Sequence, residues 1–533
     1  MSIEDIKAAS RGLRGPLAEE LATDDLAFGH DAAVLLKFHG IYQQDHRDTR
    51  RRLAQARQPL DHSCMVRASV PGGVISAQQW LALDRLAVLT DGSLRLTTRQ
   101  GVQFHFVPKR SLRDTVAAIN ACDLTTLAAC GDVVRNIMAC PIPDERQEIL
   151  QPALWDLVRR FRPTTRAYWE LWVDGDRAVS AEAPADDEHE RMYGPVYLPR
   201  KFKIALGWPG DNCVDVLAND VGIVPTIEGG RHTGFTLFAG GGMGVSHARP
   251  DDTFPSLARA VAWAPVGSLG EVVESIVIVH RDHGDRADRQ RARLKYLVAE
   301  RGVGWLAERM AETLGRAVAP PRPIAAWAAG HEHHGWATHG DHRVLGLPVP
   351  NGRVTGHLRA ALAELAAAGT VSEFRVTPRQ DVLLCGLSDE RQVAAVLVAH
   401  GVPVPGEVRA IRRLAIACPA LPTCGQALAE AERVMPDLIS GSGGRGGGRR
   451  GRRSSDPHQH DRVPERVCPP VQRRGRHRRA DQANLRRAPW RVAVRRPPRQ
   501  RCRGGGHPGR DPRAAGTCPA SIRRAAQRRR VVR

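Results

Sequence analysis

Two stretches of this chain, far apart in sequence, repeat one another, and the repeat limits the architectures available to it. The first runs Val66-Arg67-Ala68-Ser69-Val70-Pro71-Gly72-Gly73, a helical stretch from Ala77 to Leu89, then Leu94-Arg95-Leu96-Thr97-Thr98-Arg99-Gln100. The second runs Leu345-Gly346-Leu347-Pro348-Val349-Pro350-Asn351-Gly352, a helical stretch from Gly356 to Ala368, then Phe374-Arg375-Val376-Thr377-Pro378-Arg379-Gln380. Each copy reads as strand, turn, amphipathic helix, strand, with alternating apolar residues in the strands. The interval between copies is far too long for a solenoid. Two such units are expected side by side in one sheet as a pseudo-twofold pair with a single site between them.

Between the copies the pattern is mixed. Short strands are expected at Arg166–Val173, Lys203–Ala205 and Ser275–His280, a helix at Asp285–Glu300, and Gly-rich turns at Ala239–Gly244. The prolines at 320–323 and the run His331-Glu332-His333-His334 read as a linker. Its histidines have no recurring metal-ligand spacing and sit among Gly and Ala, so metal binding is not expected there.

The chain has 533 residues and a net charge of +21, but the excess belongs to its end. From Gly441 onward there are 28 Arg, no Lys and 5 acidic residues, which leaves the remainder slightly acidic. The high pI therefore says nothing about what the first 440 residues bind. The start, MSIEDIKAAS, is polar and no apolar run is long enough to span a bilayer, so a cytoplasmic chain without membrane contact is expected. Eleven irregularly spaced Cys point to reduced thiols, some of them candidate metal ligands.

Two patterns carry chemistry. Cys418 and Cys424, separated by Pro-Ala-Leu-Pro-Thr, are two thiols on one proline-rich loop; they suit part of an iron–sulfur ligand set, or else are two buried loop cysteines. Arg67, Arg95, Arg99, Arg135, Lys201 and Lys203 sit in apolar, β-prone contexts, where an unpaired charge is costly. They are either solvated strand ends or a cluster for a polyanion.

The blocks LLKFHGIYQQDHRDTR (35–50), MVRASVPGGV (65–74), LRLTTRQGVQFH (94–105), LTTLAACGDVVRNIMACP (124–141), YGPVYLPRKFKIA (193–205), DNCVDV (211–216), GGGMG (240–244) and ACPALPTCGQALAEAER (417–433) resemble, in order, the siroheme-dependent sulfite and nitrite reductase family, on its sulfite reductase hemoprotein branch. The resemblance covers about 10–440. It implies an α/β (α+β) protein with duplicated ferredoxin-like half-domains plus siroheme and iron–sulfur domains. The implied divisions are an N-terminal arm (1–62), half-repeat 1 (63–123), a siroheme domain (124–325), a linker (326–340), half-repeat 2 (341–405), the start of a second cluster and siroheme domain (406–440), and a disordered Arg/Gly-rich tail (441–533).

The resemblance also implies siroheme bridged to a [4Fe–4S] cluster. Arg67, Arg135, Lys201 and Lys203 would hold sulfite. Arg95, Thr97, Arg99, Gln103 and His105 would contact the siroheme, and Cys418 and Cys424 would supply cluster thiolates. The activity implied is six-electron reduction of sulfite to sulfide, with electrons from an NADPH-dependent flavoprotein subunit or ferredoxin. Ammonia-forming nitrite reduction is the alternative inside the family, and a non-catalytic remnant with an RNA-binding tail the alternative outside it.

The chain departs from the family where the second cysteine pair, in Thr-Gly-Cys-Pro-Asn-Gly-Cys, is due. Cys468, Cys502 and Cys518 have the wrong spacing. Back-translating Asp456–Arg473 and starting one nucleotide later permits IRISMTGCPNGCARPYNA, only the middle letter of each new codon being a free wobble choice. A single-base frame change shortly after Ile439 is therefore expected, which would impair cluster assembly in the chain as written. A tail with one aromatic, Trp490, and no Lys fits out-of-frame codons better than an RNA-binding arm, so nucleic acid is not an expected partner. His46, where the family has Asp, and Ser69, where it has a second basic residue, are smaller departures.

Overall fold

The computed structural model describes residues 1–173, 190, 192–327, 333–403, 406 and 408–441. The expectations for His331, Glu332 and everything from 442 onward, Cys468, Cys502 and Cys518 included, fall outside the described residues.

Both repeats fold as read, with helices at Ala77–Ala87 and Gly356–Ala367. They do not share one sheet. The first copy builds a five-stranded sheet from β1 (Ile41–Asp45), β2 (His62–Ala68), β5 (Val102–Val107) and β4 (Leu94–Leu96), closed at the edge by β13 (Arg353–Val354) of the second copy. The second builds β11 (Gly335–His339), β12 (His342–Leu347), β15 (Val382–Leu387) and β14 (Val371–Val376), closed by β3 (Val74–Ser76) of the first. Each copy thus lends a short strand to the other, and the exchange covers an edge that would otherwise present unpaired backbone groups.

The turns make the exchange exact on both sides. Gln100 and Gln380, at equivalent positions, both adopt left-handed backbone (φ 54° and 66°). Gln100 Nε2 donates to Val376 O at 3.0 Å and Gln380 Nε2 donates to Leu96 O at 2.9 Å, again equivalent positions. Gly73 and Gly352 have positive φ, and a side chain at either would run into the carbonyl of Val376 or Leu96. Between the helices Arg359 Nε holds Asp84 Oδ1 at 2.6 Å, and Trp80 stacks on Phe374 with ring centroids 4.4 Å apart. The halves share one apolar core.

A third sheet lies in the intervening region, in the order β10 (Arg259–Pro265), β9 (Arg231–Ala239), β8 (Val221–Glu228), β7 (Ile204–Leu206), β6 (Met138–Ala139). Its β6, β7 and β8 are parallel and the rest antiparallel.

Four local expectations are corrected. Arg166–Trp172 is a helix, not a strand: Ala167, Tyr168, Leu171 and Trp172 are buried at helical spacing, and their aromatic content mimicked a strand. Ser275–His280 lies inside the helix Leu269–His283, which is buried on most sides and so lacks amphipathic period. The helix expected from Asp285 starts at Leu294, because Asp285 Oδ1 accepts from the backbone N–H of Ala287 and Asp288 and closes a turn instead. Gly335–His339, expected within a linker, is strand β11, paired along its length with β12. No described helix is long and apolar enough to cross a membrane.

Candidate anion and cofactor site

A cleft of about 230 Å³ opens where the first copy meets the third sheet. Arg67, at the end of β2, Thr97 and Arg99, in the turn after β4, and Arg135, Lys201 and Lys203, from the loops leading to β6 and β7, all line it. Among the described lining residues the one carboxylate is Asp215. Five basic side chains against one acid make a strongly positive cleft.

Backbone carbonyls and amides aim these cations. Arg99 Nη1 donates to Asn136 O (3.1 Å) and Ile204 O (3.2 Å), and Nη2 to Asn219 Oδ1. Asn136 is itself fixed, its Nδ2 donating to Val70 O and Arg99 O at 2.8 Å each and its Oδ1 accepting from Ser69 Oγ at 2.8 Å. Arg135 Nε and Nη2 both donate to Gly131 O at 3.1 Å. Arg67 Nη1 reaches Cys130 Sγ at 2.8 Å. Burial, then the neighbouring Arg135 and Lys203, push the Lys201 ammonium well below the ordinary lysine range.

Strand register accounts for the others. Arg67 on β2 stands opposite Gln103 on β5, Gln103 opposite Arg95 on β4, and Arg95 opposite Arg353 on β13. The four form one transverse row, with His105 two residues along the same face of β5. With its amide oxygen turned to the guanidinium, Gln103 accepts from Arg67 Nε at 2.9 Å. Arg95 is 1% exposed and does not line the cleft: its Nη1 pairs with Glu432 Oε2 at 2.6 Å and its Nη2 donates to Ala417 O at 2.8 Å. Glu432 also takes Arg353 Nε, so one carboxylate bridges two cations that face each other across a strand pair. His105 is 2% exposed, and among the described residues neither ring nitrogen has a hydrogen-bond partner. Burial, reinforced by Arg353, Arg95 and Arg67, lowers it to about 3, so the ring is neutral.

Cys418 follows Ala417, the residue gripped by Arg95, and is exposed; Cys424 is half-buried, its carbonyl held by Arg47 Nη1 at 2.9 Å. The cysteine loop therefore hangs from the Arg95 row at one end and from the segment after β1 at the other.

Sequence reasoning missed Asn136, Asn219, Glu432 and Asp132. Asp132 is buried, with Lys7 Nζ at 3.7 Å and Arg289 Nη1 at 2.8 Å. Burial pushes its carboxyl up, but Arg289 and Lys7 more than offset this and hold it below the usual range. Its position in Cys130-Gly-Asp-Val-Val-Arg135, a lone acid amid apolar residues, was the available signal.

A polycarboxylate tetrapyrrole suits this site on two observations: the excess of basic side chains around the cleft and the buried imidazole of His105 beside it, unpartnered among the described residues. For a [4Fe–4S] cluster the loop braced by Arg95 offers one cysteine pair, Cys418 and Cys424, of the two that such a centre takes.

Known proteins resemble this chain in sequence and fold. The profile described as "Nitrite and sulphite reductase 4Fe-4S domain" matches residues 130–318, and "Nitrite/Sulfite reductase ferredoxin-like half domain" matches 57–122 and 337–396. The chain is 39% identical over 450 residues to the "Sulfite reductase [NADPH] hemoprotein beta-component" of Geobacillus kaustophilus, covering 82% of this chain and 78% of that one. It is 42% identical over 451 residues to the protein of the same description from Myxococcus xanthus, with the same coverage. Among solved structures, the Mycobacterium tuberculosis NirA protein superposes with a TM-score of 0.65 at 24% identity, covering 82% of this chain and 76% of that one, a likeness of fold.

Proposed function

The chain belongs to the nitrite and sulphite reductase family, and from that premise we propose that its gene encodes an assimilatory sulfite reductase hemoprotein, reducing sulfite to sulfide by six electrons. The observation that carries this reading is the cleft walled by Arg67, Arg99, Arg135, Lys201 and Lys203 against a single carboxylate among the described lining residues.

In this reading Arg67, Arg135, Lys201 and Lys203 bind and orient the sulfite oxygens, and Thr97, Arg99, Gln103 and His105 face the siroheme. Arg95 acts one step back, bracing the cysteine loop through Ala417 and Glu432. Siroheme, when bound, supplies a redox-active iron, with a [4Fe–4S] cluster as its electron source. The protein's part is electrostatic. Fixed cations in a partly desolvated cleft favour a dianion and the negative charge that gathers on its oxygens as they leave. Lys201 suits proton delivery: burial and then the surrounding cations lower its hold on the Nζ proton, and an arriving oxyanion raises it again. The neutral His105 ring adds no charge to a cation-rich wall.

Cys418 and Cys424 are proposed as the first two cluster ligands. The second pair belongs, in this account, to the reading frame displaced after Ile439, so the chain as written assembles its cluster poorly or not at all. The electron donor is proposed to be an NADPH-dependent flavoprotein subunit or a ferredoxin, and the compartment the cytoplasm. Resequencing the DNA of the Gly-rich stretch after Ile439 tests the frame change; a confirmed frame without an insertion or deletion refutes it. Ultraviolet–visible spectra of the protein from both frames test the cofactors, with siroheme bands expected from the corrected frame and weak or absent bands from this one. Turnover of sulfite against nitrite with a reduced dye tests the substrate. A colourless corrected protein, or one that prefers nitrite, overturns the assignment.

A further inference from the structure

Away from the cationic row, two cysteines meet in the interior. Cys140 follows β6, Cys213 lies in the loop after β7, and Asp211 sits between them; their two Sγ atoms and a carboxylate oxygen all lie within 4.8 Å of one another. Cys140 is buried and Cys213 half-buried. Cys140 Sγ is 3.8 Å from Asp211 Oδ2, and the backbone N–H of Cys213 donates to Asp211 Oδ1 at 3.0 Å. Arg146 Nη1 reaches both Cys140 Sγ (3.3 Å) and Asp211 Oδ2 (3.0 Å), and its Nε donates to Asp144 Oδ1 at 2.7 Å.

Such a trio suits either a thiophilic cation or a redox dithiol, and Arg146 separates the two. A guanidinium cannot lose its charge, and this one already fills the face shared by a sulfur and the carboxylate. It repels a second cation there and stabilises a thiolate instead. We propose that Cys140 and Cys213 form a redox-active dithiol that peroxide closes into a disulfide.

The sulfurs are unequal in the way this chemistry needs. Burial pushes the Cys140 thiol up, but the hydrogen bond with Cys213 and the charge of Arg146 more than offset it and leave it below the ordinary cysteine value. Cys213 is pushed well above, first by that same hydrogen bond and then by burial. Cys140 is thus the nucleophile and Cys213 the resolving thiol. The Cys140 thiolate attacks one oxygen of hydrogen peroxide, the O–O bond breaks, and hydroxide leaves, giving a sulfenic acid. Cys213 then displaces the sulfenic oxygen as water, its proton going with it, and the S–S bond forms. Two thiols lose two electrons, and peroxide gains them. Closure ties the loop after β6 to the loop after β7, next to Met138 and Val214 in the cleft wall.

The test uses the full-length chain, reduced and desalted, exposed to hydrogen peroxide, alkylated and digested. Mass spectrometry should find the Cys140 peptide linked to the Cys213 peptide with loss of two hydrogens. Cys213→Ser should leave a dimedone-trappable sulfenic acid at Cys140, and Arg146→Met should slow the linkage about tenfold. If both cysteines alkylate separately after peroxide exposure that oxidises Cys418, the proposal fails. It fails equally if the purified chain carries one zinc ion that protects both thiols from alkylation and is lost in Cys140→Ser.

Discussion

The two copies of the repeat share a backbone and differ in what they hold. In the first, the turn after β4 meets the third sheet, so Arg99 is steered by Asn136, Ile204 and Asn219 into the anion cleft. In the second, the equivalent Arg379 meets the C-terminal segment instead and donates to Leu414 O at 3.1 Å. Asn351 and Arg353, also of the second copy, hold Glu432. One copy faces the proposed oxyanion and the other grips the segment that carries Cys418 and Cys424. Duplication supplied the frame twice, and the neighbours that each turn meets decided its task.

The comparison breaks most severely at the joint the copies share. Trp80→Ala removes the ring stacked on Phe374 and should cost about 3–5 kcal/mol in urea unfolding. A smaller loss would mean that the halves are stable separately. Next comes the asymmetry of the paired arginines. In the frame-corrected enzyme Arg99→Ala should lower sulfite turnover about 10²-fold, whereas Arg379→Ala should leave the rate per cofactor-loaded molecule near wild type. Equal losses of that rate would erase the proposed division of labour.

The glutamines sharpen the comparison further. Gln100 Nε2 serves Gly72 O, Ala139 O and Val376 O, whereas Gln380 Nε2 serves Leu96 O. Gln100→Ala should destabilise by roughly 2–3 kcal/mol and Gln380→Ala by about 1 kcal/mol, read from chemical denaturation. The smallest effect is a slope. His105 has a folded pKa of about 3, below its unfolded value, so the unfolded chain takes up a proton first as pH falls. Its contribution is complete above the ordinary histidine pKa and is lost steadily down to about pH 3. His105→Phe should flatten stability against pH across that window by about one proton. His39 and His280, both lowered to about 4 by burial, act in the same sense and should keep part of the slope.

Period and turn chemistry made the repeat legible, and both helices begin where the sequence says. The exchange of β3 and β13 was not legible, because edge pairing between distant segments leaves no local periodicity. The misread stretches failed for local reasons: aromatic residues in Arg166–Trp172, a β-branched run at Ser275–His280 in a helix buried on most sides, and an aspartate turn at Asp285. In the site, cations stood out because charge is conspicuous in apolar strands. Asn136 and Asn219, which aim Arg99, are single amides in loops and look like any solvated residue. Arg95 was visible as a charge, but its engagement by Glu432 depends on a helix far along the chain.

The lent strands also set a timetable for synthesis. Leu94–Leu96 leaves the ribosome roughly tens of seconds before Arg353–Val354, at ordinary elongation rates. Until then the first sheet has an open, apolar border, with no β13 to close it. The nascent chain must wait half-built, so a chaperone that shields that border during translation should raise the yield of folded protein more than one added after release.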